Sequence, residues 1–390
     1  MLNNLPQHAI VLHQSMTVDM ATDGLPAKLI TLVNQNGMSV TLMDIGATWL
    51  SCCVPVAVDH QTVYREVLLG VSTLNDFYQQ QAYLGATVGR YANRIAAGKF
   101  NVDGENYQVS TNQNGNCLHG GETGFDKRRW HMQQLNATEV QFKLLSADGD
   151  MGFPGNLQVV VTYTLTENNE LTIRYSAETD KPTIVNLTNH GYFNLLGADS
   201  GHDCLSHQLT INADHYLPTD QQGIPLGEFN AVEATSFDFR QPKAIHQDWL
   251  IDADQQQAKG YDHSFVLRSD VCRATTACAT VIAADGSLTM DVLTTKPAMQ
   301  LYTGNYLAGC PNRIGGEYAD HSGFALETQF LPDSPNHPEW QDNDPILRPN
   351  EHYLLRPGPR TRRPRPPGPC RRGTSRSAPP GTPCRSWGRR

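Results

Sequence analysis

The stretch Val-Val-Val-Thr-Tyr-Thr-Leu-Thr-Glu-Asn-Asn-Glu-Leu-Thr-Ile-Arg-Tyr-Ser-Ala, residues 159–177, decides the fold class. Val159, Val161, Tyr163 and Leu165 fall on one side of an extended chain. Leu171, Ile173, Tyr175 and Ala177 repeat the pattern after the turn signal Glu167-Asn168-Asn169. Successive side chains of a strand point to opposite faces, so a period of two with mostly Thr, Ser and Arg between predicts a half-buried antiparallel hairpin.

The same signal recurs on both sides of this hairpin. Leu29–Val33 and Ser39–Met43 flank Asn34-Gln35-Asn36-Gly37, an Asn-Gly hairpin turn. Strand-like runs follow at Val140–Leu145, Leu205–Ile211, Cys278–Ala283, Leu288–Leu293 after Asp285-Gly286, and Met299–Thr303. One helix is predicted, Ser72–Gln81 with Ser72 as its N-cap. Many short strands punctuated by Gly and Pro describe an all-β protein, a large antiparallel β-sandwich or barrel. With no composition break before about residue 355 and no internal repeat, residues 1–355 read as one β-domain.

Charge divides the chain. Of 30 Lys+Arg and 39 Asp+Glu, the segment 356–390 holds 11 Arg, 9 Pro and no acid, which leaves 19 basic against 39 acidic residues before it, a net of about −20. A body so acidic repels nucleic acid and anionic membranes, so neither is expected as a partner. The segment 356–390 has only Trp387 as a large apolar side chain and is expected to be disordered. Its abrupt onset after Tyr353 reads as out-of-frame or otherwise non-native sequence. Met1–Ser15 carries no Lys or Arg, and Ala9–Leu12 is too short for a signal or membrane segment. Nine cysteines, an odd count with no Cys-x-x-Cys, read as reduced thiols. The expectation is a soluble cytoplasmic protein.

The chemistry concentrates in Asn-Leu-Thr-Asn-His-Gly-Tyr-Phe-Asn-Leu, residues 186–195, where an alternating run from Thr183 ends in a dense set of donors and acceptors. That density suits a pocket for a polyhydroxylated ligand. Gly191 leaves space beside His190 for a ligand or a second backbone. A single histidine at a strand end is usually structural, but His-Gly recurs at His119-Gly120-Gly121. Arg94 can fork two hydrogen bonds to a ligand, and Glu327 interrupts an otherwise apolar strand, Phe324 to Phe330. With ordinary pKa values near ~4.3 for Glu and ~6.5 for His, such a pair supplies a base and an acid at neutral pH with little tuning. Opening a cyclic hemiacetal needs that combination, with neither metal nor redox cofactor. No phosphate-cradling Gly loop and no His-x-x-x-His or Cys-x-x-Cys ligand pair occurs.

Gly-Arg-Tyr-Ala-Asn-Arg-Ile (89–95), Leu-His-Gly-Gly (118–121), residues 186–195, His-Tyr-Leu-Pro-Thr-Asp (215–220), Gly-Tyr-Asp-His (260–263) and Leu-Glu-Thr-Gln-Phe-Leu-Pro-Asp-Ser-Pro-Asn-His-Pro (326–338) together resemble the aldose 1-epimerase (galactose mutarotase) family from about residue 25 to 355. The resemblance implies a large antiparallel β-sandwich of the galactose mutarotase type. It also implies cofactor-free interconversion of α- and β-anomers of hexoses such as galactose and glucose, in a monomer or weak homodimer. By motif position it makes Glu327 the general base at the anomeric hydroxyl and His190 the general acid at the ring oxygen. His119, Arg94 and Asp262 would bind the sugar, with Asn93 and Gln300 as further contacts and no metal ligand. Past Tyr353 the family continues into a closing strand that this chain is expected to lack.

Fold alone does not establish catalysis. The same architecture serves sugar-phosphate epimerases and non-catalytic carbohydrate-binding proteins. A phosphate site would want clustered cations, and Lys127-Arg128-Arg129 is the only such run in the body. A hydrolase would use Asp262 and Glu327 as paired carboxylates, a matter of their separation.

Overall fold

A computed structural model describes residues 5–58, 61–340, 343–355 and 358–362. Its strands form an antiparallel β-sandwich. The hairpin that decides the fold class is its longest pairing, Leu157–Leu165 against Leu171–Thr179, in register from Leu157↔Thr179 to Leu165↔Leu171. All eight apolar residues named for its inner face are buried. The five-stranded sheet around it runs His131–Asn136, Glu139–Ser146, Leu157–Leu165, Leu171–Thr179 and Tyr353–Leu355.

A six-stranded sheet carries Tyr192–Phe193, Phe324–Gln329, Ala298–Tyr302, Asp262–Leu267, Ala213–Leu217 and Asn230–Ala231. A further five-stranded sheet and the four-stranded sheet of residues 29–66 complete the main layers. One apolar cluster runs through all four, from Leu32 and Trp49 through Tyr163 and Tyr175 to Phe265, Met290 and Phe324. Within the six-stranded sheet Phe324–Gln329 is buried at all six positions. A strand covered on both faces holds its side chains in fixed directions, which suits it to carry a reacting group.

Several expectations are corrected. The helix is Leu74–Gln79, and its N-cap is Thr73, whose hydroxyl accepts from Asp76 N–H at 3.1 Å. Two helices escaped the pattern, Gln7–Met16 and Ala253–Ala258. The first buries only Ala9, Leu12 and Met16, a stripe too thin to stand out among Gln, His and Ser. The run Leu205–Ile211 pairs only over Gln208–Ile211. Thr183 to Thr188 does not alternate in burial, because all six residues are covered.

The closing strand is also corrected. Tyr353–Leu355 pairs with Leu171–Thr179, and Gly358–Arg362 pairs with Thr289–Leu293 from Thr289↔Arg362 to Leu293↔Gly358. Disorder from residue 356 therefore fails for these five residues. Ladder hydrogen bonds are made by the backbone, and an edge position tolerates Pro and Arg that a central strand would reject. The remainder of the expected tail, 356–357 and 363–390, lies outside the described residues. The seven cysteines at described positions form no disulfide with one another, and no described helix is long and apolar enough to cross a membrane.

Candidate active site

The site is assembled where strand ends from three parts of the chain converge on Phe324–Gln329. Glu327 lies opposite Gln300 in the ladder, and Gln300 lies opposite Ser264. His190 follows Thr188–Asn189, which pairs with Thr87–Val88; its N–H donates to the Ala86 carbonyl at 2.9 Å and its carbonyl accepts from Gly85 N–H at 2.9 Å. His119 follows Cys117–Leu118, paired with Arg94–Ile95. These segments wall a cleft of about 730 Å³, lined by Asn93, Arg94, His119, His190, Asp262 and Glu327 among others. Six of the seven residues expected to act or bind thus meet in one cleft.

The seventh, Gln300, stands behind the wall. Its Nε2 donates to Asp262 Oδ1 at 2.7 Å and its Oε1 accepts from the Ser264 hydroxyl at 2.5 Å. With both ends of the amide engaged by protein, Gln300 fixes Asp262 and is not among the residues lining the cleft. Ser264 sets which way that amide points, a role invisible in the sequence because it depends on strand register.

Backbone geometry fixes His119. Asn93 and His119 both adopt left-handed conformations, with φ 63° and 52°. They exchange two hydrogen bonds: His119 N–H donates to the Asn93 carbonyl at 3.0 Å, and Asn93 N–H donates to His119 Nδ1 at 3.1 Å. Nδ1 must therefore hold a lone pair, and Nε2 carries the proton of the neutral ring. Gly120, at φ 94°, allows this turn, since a Cβ there would sit 2.0 Å from the Gly89 carbonyl oxygen. Gly191 has a different part from the one expected. A Cβ there would meet Asn189, Leu68 and Phe193 side-chain atoms at 3.1–3.3 Å, so the space beside His190 is taken up by the protein's own packing.

His190 Nε2 lies 3.5 Å from Glu327 Oε1. Both residues are buried, and neither His190 Nδ1 nor Glu327 Oε2 has a hydrogen-bond partner among the described residues. Tyr83, which sequence reading missed, stacks on the His190 ring at 5.8 Å and meets the His119 ring edge-on at 4.6 Å; Tyr192 lies 4.9 Å from His190. Arg94 is steadied by Gln113, which accepts from its Nε at 2.8 Å, and reaches to 3.9 Å of Asp262.

Burial reverses the expected ionisation. It raises the Glu327 carboxyl to about 8, helped by the Asp262 charge and opposed by Arg94. It lowers His190 to about 4 and holds His119 well below the ordinary histidine value, the latter helped by His190 and Arg94. The pair is thus heavily tuned, and between pH about 4 and 8 it retains one proton, on Glu327.

His119, His190 and Glu327 bring one potential ligand atom each within 4.8 Å of one another. A metal does not fit. His119 Nδ1 is committed to Asn93 N–H and its other nitrogen bears the ring proton, so two ligands remain where a bound ion wants at least three. Phosphate is no better served. Arg128 is tied to Asp150 at 2.6 Å, Arg129 to Asp23 and Asp44 at 2.5 Å, and neither lines the cleft, where Arg94 is the only Lys or Arg among the described residues.

The chain is similar along most of its length to known proteins of one family. The family model described as aldose 1-epimerase matches residues 28–357. The aldose 1-epimerase of Haemophilus influenzae is 53% identical over 333 residues, covering 85% of this chain and 95% of that protein. The aldose 1-epimerase of Escherichia coli K12 is 50% identical, covering 86% and 96%. Human galactose mutarotase is 43% identical, covering 76% and 83%. Among solved structures, an aldose epimerase homologue from C. elegans superposes with TM-score 0.77 at 28% identity, covering 86% of this chain and 99% of that one. Galactose 1-epimerase from Lactobacillus acidophilus does so with 0.75 at 29%, covering 88% and 97%. A family match across nearly all of the β-sandwich, with close relatives of the same kind aligned over most of their length, places this chain in the aldose 1-epimerase family of isomerases.

Proposed function

We propose that the chain interconverts the α- and β-anomers of free hexoses such as galactose and glucose, with Glu327 and His190 exchanging protons with the sugar. The observation that carries this is the 3.5 Å approach of His190 Nε2 to Glu327 Oε1 on the floor of the cleft. The anomeric hydroxyl and the ring oxygen are bonded to the same carbon. The groups that serve them must therefore stand side by side.

In the forward half, the Glu327 carboxylate takes the proton of the anomeric hydroxyl and the His190 imidazolium gives one to the ring oxygen. The bond from C1 to the ring oxygen breaks and C1 becomes an aldehyde carbon. Rotation about C1–C2 then presents the other carbonyl face. Protonated Glu327 returns its proton to the carbonyl oxygen, neutral His190 takes the proton of the C5 hydroxyl, and the ring recloses. One proton on the pair serves the whole cycle. It sits on the His190 ring while the sugar is closed and on the Glu327 carboxyl while the sugar is open. Burial favours the neutral arrangement, which matches the open-chain stage. Hydrogen bonds from the entering sugar would offset that preference at the start.

His119 would donate from Nε2 to a sugar oxygen, while Arg94, Asp262 and Asn93 hold hydroxyls; Gln300 acts through Asp262. Asp262 is occupied by Gln300 and Arg94, which favours this reading over a hydrolase with Asp262 and Glu327 as its working pair. The test is polarimetry on freshly dissolved α-galactose and α-glucose. The proposal requires approach to the equilibrium rotation faster than the spontaneous rate, in proportion to protein. An unchanged rate with both sugars would reject it.

A further inference from the structure

A second cleft, of about 910 Å³, shares no lining residue with the first. Its walls include Phe229, Phe330, Trp340, Ile346 and Tyr353, and one amine opens onto it, that of Lys296. Lys296 is only 4% exposed. Its Nζ lies 3.3 Å from the centre of the Phe330 ring and 4.4 Å from that of Tyr353. Among the described residues no oxygen accepts a hydrogen bond from it and no carboxylate pairs with it. The other buried lysine makes the contrast, since Lys243 is matched by Asp248 at 2.6 Å and the Ser236 carbonyl at 2.7 Å.

An ammonium group in this place sets its N–H donors against two ring faces that accept them poorly. Burial accordingly moves the amine toward its neutral form, well below the ordinary lysine value. A neutral amine on the wall of an accessible apolar cleft is a nucleophile with a binding site around it. An anionic ligand is disfavoured by Glu339, Asp344 and Glu351, which also line the cleft.

We propose that this cleft takes up small apolar aldehydes and holds them as imines on Lys296 Nζ. The nitrogen lone pair attacks the carbonyl carbon, a C–N bond forms, and one N–H proton passes to the oxygen. The carbinolamine then loses its hydroxyl with the second N–H proton as water, leaving C=N. Nothing is oxidised or reduced. The product removes the cause of the amine's poor fit, because an imine has no N–H donor left to satisfy. Any iminium formed from it faces the same two rings, which stabilise a cation without needing to accept a hydrogen bond.

The test is brief reductive alkylation of the full chain at pH 7 with limiting propanal and cyanoborohydride, followed by peptide mapping. An ordinary exposed lysine is neutral in roughly one molecule in a few thousand at that pH. Alkylation at Lys296 is expected to exceed that at exposed Lys181 or Lys99 by at least tenfold, and to lose that lead in urea. Lys296→Met is expected to abolish the fast labelling while mutarotation continues. Equal labelling of all lysines in the folded protein, or an unmodified Lys296 while Lys181 and Lys99 react, would overturn the proposal. The wild-type comparison with and without urea decides the matter even if the Met variant fails to fold.

Discussion

Replacing Glu327 with Gln should make the protein more stable at neutral and alkaline pH while removing its activity. Glu327 is buried, and its folded-state pKa is raised from 4.5 to about 8, chiefly by burial. Below about pH 4.5 the carboxyl is protonated in both folded and unfolded chains and contributes no pH dependence. As pH rises from 4.5 to 8 the unfolded chain releases this proton while the folded one keeps it, so native stability declines through that window. At ~1.4 kcal/mol per pKa unit the ceiling of the loss is roughly 4 to 5 kcal/mol, reduced to the extent that His190 shares the proton. Gln is neutral at every pH and nearly the same shape, so it escapes the loss. His190, lowered to about 4, works in the opposite sense, since its stability contribution is lost as pH falls from 6.5 toward 4. It is present in both proteins and largely cancels in their difference. Urea unfolding at pH 5, 6, 7 and 8 should show the Gln variant gaining on the wild type at each step, reaching a few kcal/mol by pH 8. Parallel stability profiles, or a variant less stable at pH 8, would refute the reasoning.

Three further outcomes follow from the same geometry. Because kcat/KM reports the free enzyme, its pH profile should be a bell with limbs near the low and high values of the His190 and Glu327 pair, about 4 and about 8; a profile flat from pH 4 to 9 would show that the pair does not carry the reaction. Overnight dialysis against EDTA should leave activity unchanged, since His119 Nδ1 is committed to Asn93; a loss restored by zinc would contradict that tautomer. Truncation after Leu355 removes the ladder on Thr289–Leu293 and should cost roughly 1–3 kcal/mol, a few degrees in Tm, whereas a chain ending at Arg362 retains that ladder; equal melting of the two chains would show that Gly358–Arg362 does not pair.

How much of this was legible in the sequence depended on whether the deciding force was local. Residues 159–177 declared their hairpin because one face is buried and the other is not, which writes a period of two into the chain. Thr183 to Thr188 is covered on both sides and lost that signature. Gly358–Arg362 pairs through its backbone, which leaves no trace in side-chain composition. The candidate site divides in the same way. Glu327, His190, His119, Arg94, Asn93 and Asp262 stand in motif strings and converge on one cleft. The retreat of Gln300 behind Asp262, the orienting hydroxyl of Ser264 and the ring of Tyr83 over His190 follow from strand register and long-range packing. The ionisation of the pair was misjudged because reference values assume water, and neither group meets much of it.

The measurement that tests the central claim most directly is the rate of mutarotation of fresh α-galactose by wild type, Glu327→Gln and His190→Asn, read by polarimetry over the spontaneous background. General acid or base transfer is typically worth about 10²–10⁴-fold. Each variant should therefore lose at least a hundredfold in kcat with little change in KM, the signature of an interaction made in the transition state. If the folded Gln variant kept more than half of the wild-type activity above background, Glu327 would not be the base and this account of the site would be wrong.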